Sequence, residues 1–153
     1  MLVFSEYQTD TIDLALDFYG YEDCPKNYEF GPSVRDNFVL HFITKGKGVF
    51  HINKKEIHLE AGDLFLLPKN KVTYYQADAE DPWSYYWIGI SGTKVSDFMR
   101  FSTLHEKGFL KKTEVDTDRI GQFMEQLVHK AEASKMTSHY QLHLLSQIYE
   151  LLF

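Results

Sequence analysis

The segment AGDLFLLPKNKVTYYQADAEDPWSYYWIGISG, residues 61–92, carries the clearest alternation of strands and turns in the chain. Its second half, PWSYYWIG, alternates as a β-strand does, because successive side chains of a strand point to opposite faces. Trp83, Tyr85 and Trp87 are therefore predicted to share one face. Three large rings in a row are expected either in the core of a sheet or on the wall of a binding site.

Strand-like segments separated by turns continue towards the N-terminus. Residues 36–50, DNFVLHFITKGKGVF, place β-branched and aromatic residues around the turn KGKG at 45–48, which predicts a hairpin. Further turns are predicted at 53–55 and 60–63. Strands spaced about eight to twelve residues apart predict a sandwich or small barrel. Residues 1–35 are interpreted as an N-terminal arm with one or two short strands.

The pattern changes to a helical one after residue 92. Residues 93–104 predict a short helix and 105–115 a charged loop. From an N-cap at Asp116 or Thr117, apolar residues recur at the spacing of an amphipathic helix. A second helix is predicted from about Ser138, and the chain stops within it at Phe153, without a capping residue. We therefore expect a longer parent protein.

The second predicted helix carries an apolar stripe formed by Leu144, Leu145, Ile148 and Leu152. This stripe can pack against the preceding helix and the barrel. Alternatively it forms the contact surface of a homodimer, because a helix pair with one exposed apolar seam commonly self-associates.

Composition narrows the class of protein. The 153 residues suit one domain, and 16% aromatic residues is a high share. A net charge of -6 does not supply the basic surface that nucleic-acid binding requires. No apolar run approaches the roughly 20 residues that span a membrane, and no secretory signal is visible. The single cysteine, Cys24, forms no internal disulfide, which fits a cytoplasmic location.

The pattern GKG followed by GDLFLLP resembles the cupin barrel. Many cupins are metalloenzymes that bind their metal through a His-x-His pair and a third histidine after the proline of the second motif. In this sequence the third position is Thr73, and residues 34–37, where the pair belongs, hold no histidine. Imidazole and carboxylate groups bind catalytic transition metals. The sequence therefore predicts no metal, no cofactor and no catalytic residue.

The aromatic row also suits carbohydrate binding. Sugars pack their C–H faces on aromatic rings and need donors and acceptors for their hydroxyls. Tyr85 and Trp87 supply rings, and Tyr75, His41 and Arg35 are candidate polar partners. His41 alternates with its apolar neighbours along the strand FVLHFIT, which directs its ring towards the interior. A filled barrel core is the alternative, because aromatics often dominate small barrel interiors.

Two longer motifs carry a more specific resemblance. GPxxRDxxxLHxIxxGKG, from residue 31, and YYxADxxxPWxYYWIGxSG, from residue 74, resemble the effector-binding domain of AraC-type transcriptional regulators, in particular those of raffinose and multiple-sugar operons. The resemblance covers residues 17–104. It implies a jelly-roll barrel that binds a sugar, followed by an antiparallel helix pair that dimerises. It also implies a helix-turn-helix DNA-binding domain that is absent from this chain.

The resemblance assigns roles to individual residues. Tyr75, Tyr85 and Trp87 occupy positions that contact the sugar in the family. Gly31 stands where the family has a sugar-binding arginine, and Arg35 is the candidate to replace it. An arm near residues 2–8 is expected to close over the ligand. Trp83 is expected at the barrel mouth, where it packs rather than binds.

The leading hypothesis is a single non-catalytic sensing and dimerisation domain over residues 1–153. Its parts are the arm and first strands (1–35), the barrel core (36–92) and the helices (93–153). Its partners are a sugar and a second copy of the chain, with DNA contacted only through the missing domain and no membrane. The alternatives are a metal-dependent cupin enzyme of the isomerase or dioxygenase type, and a dimerisation scaffold without ligand.

Overall fold

The structure, a computed structural model, describes residues 2–6, 15–100 and 102–133. Within these residues the chain forms ten β-strands and three α-helices. The strands are β1 (Leu2–Glu6), β2 (Ala15–Asp23), β3 (Glu29–Ser33), β4 (Phe38–Lys45), β5 (Lys47–Ile52), β6 (Lys55–Glu60), β7 (Leu64–Leu67), β8 (Thr73–Ala77), β9 (Ser84–Ser91) and β10 (Phe109–Leu110). The helices are α1 (Thr93–Arg100), α2 (Thr103–Lys107) and α3 (Asp118–Ala133).

The strands form two antiparallel sheets. The larger sheet has the order β1-β2-β9-β4-β7-β10, and the smaller has the order β3-β8-β5-β6. Side chains from both sheets meet in one apolar cluster that fills part of the barrel between them. The mainly β fold with C-terminal helices confirms the fold class predicted from the sequence.

The larger sheet is buried on both faces, which explains why β9 has no clean polar face. Tyr85 and Trp87 point into the barrel, whereas Tyr86 and Ile88 belong to a second cluster that also contains apolar residues of the helices. Met124, at the centre of α3, is fully buried in that second cluster. The helices thus cover the outer face of the sheet whose inner face lines the barrel.

The predicted hairpin at 45–48 is wrong. β4 and β5 follow one another in sequence, but they belong to different sheets, so residue 46 turns a corner between sheets. Gly46 has φ +71, and a Cβ there would lie 2.3 Å from the Pro82 carbonyl oxygen. A Cβ at Gly48 would lie 2.5 Å from the Trp83 ring. Both glycines are required by close approach rather than by a hairpin turn.

The turn predicted at 53–55 joins β5 and β6, which pair directly with each other. Asn53 and Lys54 have φ 53 and 64, as the two central residues of a type I′ turn do. The turn predicted at 60–63 links the two sheets, and the Asp63 carboxylate accepts hydrogen bonds from the backbone N–H groups of Glu60 and Lys112, both at 2.9 Å.

The N-terminal residues contribute more to the barrel than an arm with short strands would. β2 is nine residues long and pairs with β9 along its length, so it is an internal strand of the larger sheet. β3 forms one edge of the smaller sheet. The sequence predicted only short strands in this region because Gly20 and the acidic pair at 22–23 interrupt the apolar pattern of β2.

The helical region differs from the prediction in two details. The helix predicted at 93–104 is divided, because α1 ends at Arg100 and Ser102 accepts a hydrogen bond from the Leu104 N–H as the N-cap of α2. The predicted loop at 105–115 contains the end of α2 and β10, which pairs with β7. The helix predicted after Thr117 is α3, and the helix predicted from Ser138 lies outside the described residues. None of the helices described is long and apolar enough to cross a bilayer.

Candidate ligand-binding cavity

A cavity of about 1200 Å³ lies inside the barrel. Its walls come from both sheets, through β2, β3, β4, β7, β8 and β9, and from the loop that joins β3 to β4. Small-molecule sites in proteins typically occupy roughly 300–1,000 Å³. The barrel is therefore not filled by its own described side chains, which argues against the interpretation of the aromatic row as a closed core.

Strand register brings His41 and Trp87 to one wall of the cavity. His41 on β4 pairs with Trp87 on β9, and Gly20 on β2 pairs with Trp87 from the other side. Tyr85 lies two residues before Trp87 and points to the same face, with its ring 5.7 Å from the Trp87 ring. Strand pairing thus places His41, Tyr85 and Trp87 together on this wall.

His41 is enclosed by aromatic rings. Its imidazole stacks on Phe65 at 4.3 Å between centroids, and the ring centroids of Tyr85 and Tyr75 lie 4.9 and 5.3 Å away in T-shaped contacts. Burial, followed by the positive charge of Arg35, lowers the pKa of His41 to about 3. The ring is therefore neutral at physiological pH and offers one donor and one acceptor nitrogen.

Tyr75 and Tyr85 approach each other across the barrel, with ring centroids 6.1 Å apart. Burial raises the pKa of both phenols, so each keeps its proton and can donate a hydrogen bond. Burial also raises the pKa of the nearby Cys24 thiol to about 12. A thiol that stays protonated is a weak nucleophile. This wall of the cavity thus offers neutral hydrogen-bonding groups rather than a reactive centre.

Arg35 spans the two sheets near the loop that follows β3. Its guanidinium carbon lies 5.6 Å from the ring centroid of Phe18 on β2 and 5.1 Å from that of Phe30 on β3. Both contacts are in the range of cation–π interactions. Among the described residues it has no carboxylate partner within ion-pair distance. The side chain thus packs against two rings and lines the cavity, and its buried Nε has no hydrogen-bond partner.

Buried side-chain polar atoms without hydrogen-bond partners are concentrated among the residues that line this cavity. Among the residues that the structure describes, five buried side-chain polar atoms lack a hydrogen-bond partner, and four of them belong to residues that line it. These four are Ser33 Oγ, Arg35 Nε, Asn37 Oδ1 and His41 Nδ1. A buried polar atom left unsatisfied costs roughly 1–3 kcal/mol, so such atoms usually have a partner, a bound ligand or water among them.

Three carboxylates, those of Asp17, Glu22 and Asp36, also line the cavity. Asp17 accepts a hydrogen bond from Asn37 Nδ2 at 3.4 Å. Glu22 is half-buried, and burial raises the pKa of its carboxyl. No group of three or more His, Cys, Asp or Glu side chains in the described ranges could hold a metal ion.

The prediction that Trp83 lies at the barrel mouth is wrong. Trp83 is fully buried, stacks on Phe65 at 5.3 Å and does not line the cavity. Trp83 directly precedes β9 and belongs to the same buried cluster as Tyr85 and Trp87, so it lies beneath the cavity. The indole closes that end because Gly48 has no side chain to exclude it.

The structure brings all five residues predicted to bind ligand into one cavity: Arg35, His41, Tyr75, Tyr85 and Trp87. Sequence reasoning missed the acidic and small polar residues of the wall, notably Glu22, Ser33 and Asn37. The signal in the sequence that could have found Glu22 is its spacing of two residues from Gly20 and Phe18, which puts the three on one face of a strand. This spacing is recognisable only once β2 is known. The predicted dimer residues, Leu144, Leu145, Ile148 and Leu152, lie outside the described residues.

Comparison with known proteins defines the class to which this fold and cavity belong. Residues 15–152 match the family described as the AraC-like ligand binding domain. The match covers most of the chain, and the protein belongs to this family.

Relatives of known role are similar in sequence. The chain is 48% identical over 105 residues to the Msm operon regulatory protein of Streptococcus mutans, covering 69% of this chain and 38% of the relative. It is 42% identical over 100 residues to the raffinose operon transcriptional regulatory protein RafR of Pediococcus pentosaceus, covering 63% of this chain and 36% of the relative. The chain thus spans less than half the length of either relative.

Among solved structures, the protein YhaK from Escherichia coli is similar in fold. The two superpose with a TM-score of 0.52 at 13% identity, over 61% of this chain and 46% of YhaK. At that identity the similarity concerns the fold alone.

Proposed function

We propose that this chain is the sugar-sensing domain of a transcriptional regulator and that it binds a mono- or oligosaccharide in the barrel cavity. The observation that carries the proposal is the set of four unpartnered polar atoms beside aromatic rings in one cavity. A sugar matches this combination, because its C–H faces pack on rings and its hydroxyls both donate and accept. The similarity to the regulator of a raffinose operon supports the same class of ligand.

Trp87 and Tyr75 are the proposed principal contacts. Trp87 retains 9% of its exposure, more than the other rings of the row, and offers a surface for a sugar ring. Tyr75 offers its hydroxyl from the opposite sheet. His41, neutral and unpartnered at Nδ1, is proposed to bond a hydroxyl, and Arg35 is proposed to bind at the loop side.

Binding, rather than catalysis, is the proposed task of the cavity. The neutral phenols, the neutral imidazole and the protonated thiol can recognise hydroxyls, but none of them is an activated nucleophile or a charged acid. We propose that the regulator acts in the cytoplasm and that a part of it beyond these 153 residues contacts DNA. The acidic net charge of -6 supports this division of labour.

The outer face of the same sheet offers a route for the signal. Tyr86, next to Tyr85 on β9, has its hydroxyl 3.1 Å from His129 Nε2 on α3. Tyr19 on β2 donates a hydrogen bond to Glu132, also on α3, at 2.9 Å. A ligand that favours one position of β2 and β9 would therefore bias α3, which is what an effector must do to alter an equilibrium.

We also propose that the regulator dimerises through the stripe of Leu144, Leu145, Ile148 and Leu152. The periodicity of the sequence supports this surface, as does the amphipathic helix α3 that precedes it. Sedimentation equilibrium of Leu145→Asp against the parent chain tests it. A mass that is unchanged by the substitution removes this stripe as the interface.

Calorimetric titration tests the sugar proposal with a panel of galactosides, glucosides and pentoses. We expect at least one to bind, and Tyr75→Phe to weaken it by about tenfold through loss of a buried hydroxyl contact. Tyr74→Phe is the matched control. Tyr74 directly precedes Tyr75 in β8, and its hydroxyl points outwards and donates a hydrogen bond to Glu29 at 2.6 Å. Absence of binding across the panel at millimolar concentration would refute the proposal.

A further inference from the structure

The cavity has an uneven balance of charge. Three carboxylates line it, those of Asp17, Glu22 and Asp36, against a single guanidinium, that of Arg35. The second lining side chain that could carry positive charge, His41, is neutral because its burial lowers its pKa. The formal charge of the described lining is therefore -2, from three negative groups and one positive group.

Glu22 is the carboxylate placed among the proposed sugar contacts. It shares a face of β2 with Phe18 and Gly20 and pairs in register with Tyr85. Its negative charge also contributes to the raised pKa of the neighbouring Tyr28 phenol, after burial. Within the described residues no cation lies within 4 Å of the Glu22 carboxylate.

A carboxylate inside a cavity is costly to bury unless it gains donors. Its two oxygens accept up to about four hydrogen bonds and donate none. Neighbouring hydroxyls of a polyol are donors at a suitable spacing, and bonds to a charged acceptor are roughly twice as strong as those between neutral groups. A phosphate ester has the opposite property, because it carries about -1.5 to -2 charge at pH 7 and offers mainly acceptors.

We propose that Glu22 is a specificity-determining residue, which accepts hydrogen bonds from hydroxyls of an uncharged sugar and, with Asp17 and Asp36, excludes phosphorylated sugars. The proposal rests on the sugar-sensing function proposed above. Arg35 does not reverse the selectivity, because it is one cation among three carboxylates and its guanidinium lies against two aromatic rings. The regulator would consequently respond to sugars that enter the cell unmodified, or to products of hydrolysis, rather than to products of a phosphorylating step.

Calorimetry with matched pairs of ligands tests the proposal on the intact chain. The probes are glucose, galactose, trehalose and sucrose, each beside its 6-phosphate. For every neutral sugar that binds, we expect the 6-phosphate to bind at least tenfold more weakly. A 6-phosphate that binds as tightly as its neutral partner would overturn the inference while leaving sugar sensing intact, whereas absence of binding by all eight probes and by the whole panel of galactosides, glucosides and pentoses would overturn both.

Glu22→Gln separates charge from shape, because it keeps the size of the side chain and one acceptor oxygen. We expect the neutral sugar to bind this variant about tenfold more weakly. We also expect a smaller ratio between the affinities for the neutral sugar and for its 6-phosphate. Glu29→Gln is the matched control, since Glu29 lies exposed on β3 and bonds Tyr74 on the outer side. Thermal denaturation of both variants checks folding. If Glu22→Gln folds and keeps both the parent's affinity for the neutral sugar and the parent's ratio of affinities, the proposed role of Glu22 is overturned.

Discussion

The imidazole of His41 lies parallel to the ring of Phe65, with 4.3 Å between centroids and 8° between planes. The two residues are register partners on β4 and β7, so the stack follows directly from strand pairing. The stack holds the histidine in the wall of the cavity, where its Nδ1 has no hydrogen-bond partner and the ring is buried from water. The burial of His41 against Phe65 thus explains both its lowered pKa and its proposed hydrogen bond to a ligand hydroxyl.

The pH dependence of stability should reveal the buried His41. The unfolded chain takes up a proton at residue 41 below about pH 6.5, whereas the native ring does so only near pH 3. The free energy of unfolding therefore falls as pH decreases between these values, by at most about 1.4 kcal/mol per pH unit from this group. Urea denaturation between pH 6.5 and 4 should show a shallower slope for His41→Gln.

The control for that slope is His58→Gln. The side chain of His58 is 77% exposed and has only the exposed Glu56 carboxylate beside it, at 3.4 Å, whereas His41 is buried. Its variant should keep the slope of the parent chain. Equal slopes for His41→Gln and the parent would show that residue 41 is not held neutral by burial.

Intrinsic fluorescence should separate the two tryptophans of the chain. Trp87 lines the cavity, whereas Trp83 lies beneath it and is fully buried. A bound sugar should alter the emission of Trp87 alone, because stacking changes its polar surroundings. We expect the ligand-induced change to persist in Trp83→Phe and to vanish in Trp87→Phe, and the reverse pattern would place the ligand elsewhere.

Gly48→Ala should destabilise the barrel by about 1–3 kcal/mol, the usual cost of overpacking. Its Cβ would lie 2.5 Å from the Trp83 ring and 2.6 Å from the Gln76 carbonyl oxygen. Chemical denaturation measures the loss. Combining Gly48→Ala with Trp83→Phe should recover part of it, because the smaller ring leaves space, and strict additivity of the two losses would contradict a direct clash.

Asp63→Ala should lower the free energy of unfolding by about 2–4 kcal/mol, since it leaves two backbone N–H groups without their charged acceptor. Asp63→Asn should cost less, because one acceptor oxygen remains. Asp78→Ala is the matched control: its carboxylate also accepts from two backbone N–H groups, but in an exposed turn where water can replace it. Similar losses at positions 63 and 78 would show that burial is not the cause.

Lys54→Gly should stabilise the β5–β6 hairpin by about 0.5–1 kcal/mol. Lys54 has φ 64 at the second position of a type I′ turn, where glycine adopts positive φ without strain. Lys55→Gly, one residue further and within β6, should destabilise instead. Thermal denaturation compares the two, and a loss of stability in Lys54→Gly would argue against this turn geometry.

Local pattern determined much of the barrel from the sequence. Alternation on β9 and β4 directed Tyr85, Trp87 and His41 inwards, because side chains of a strand follow a strict period of two. Helical periodicity located α3 for the same kind of reason. These features depend only on residues close together in the chain.

Tertiary structure decided which strands became neighbours, and with them the composition of the cavity. The glycines of KGKG are typical of a hairpin, yet they turn a corner between sheets, because Pro82 and Trp83, which are distant in sequence, approach them and leave no room for a Cβ. Glu22, Ser33 and Asn37 join the cavity only because β2 and β3 flank it on opposite sheets. Long-range pairing leaves no local period in the sequence, so the aromatic half of the wall was predictable and the polar, acidic half was not.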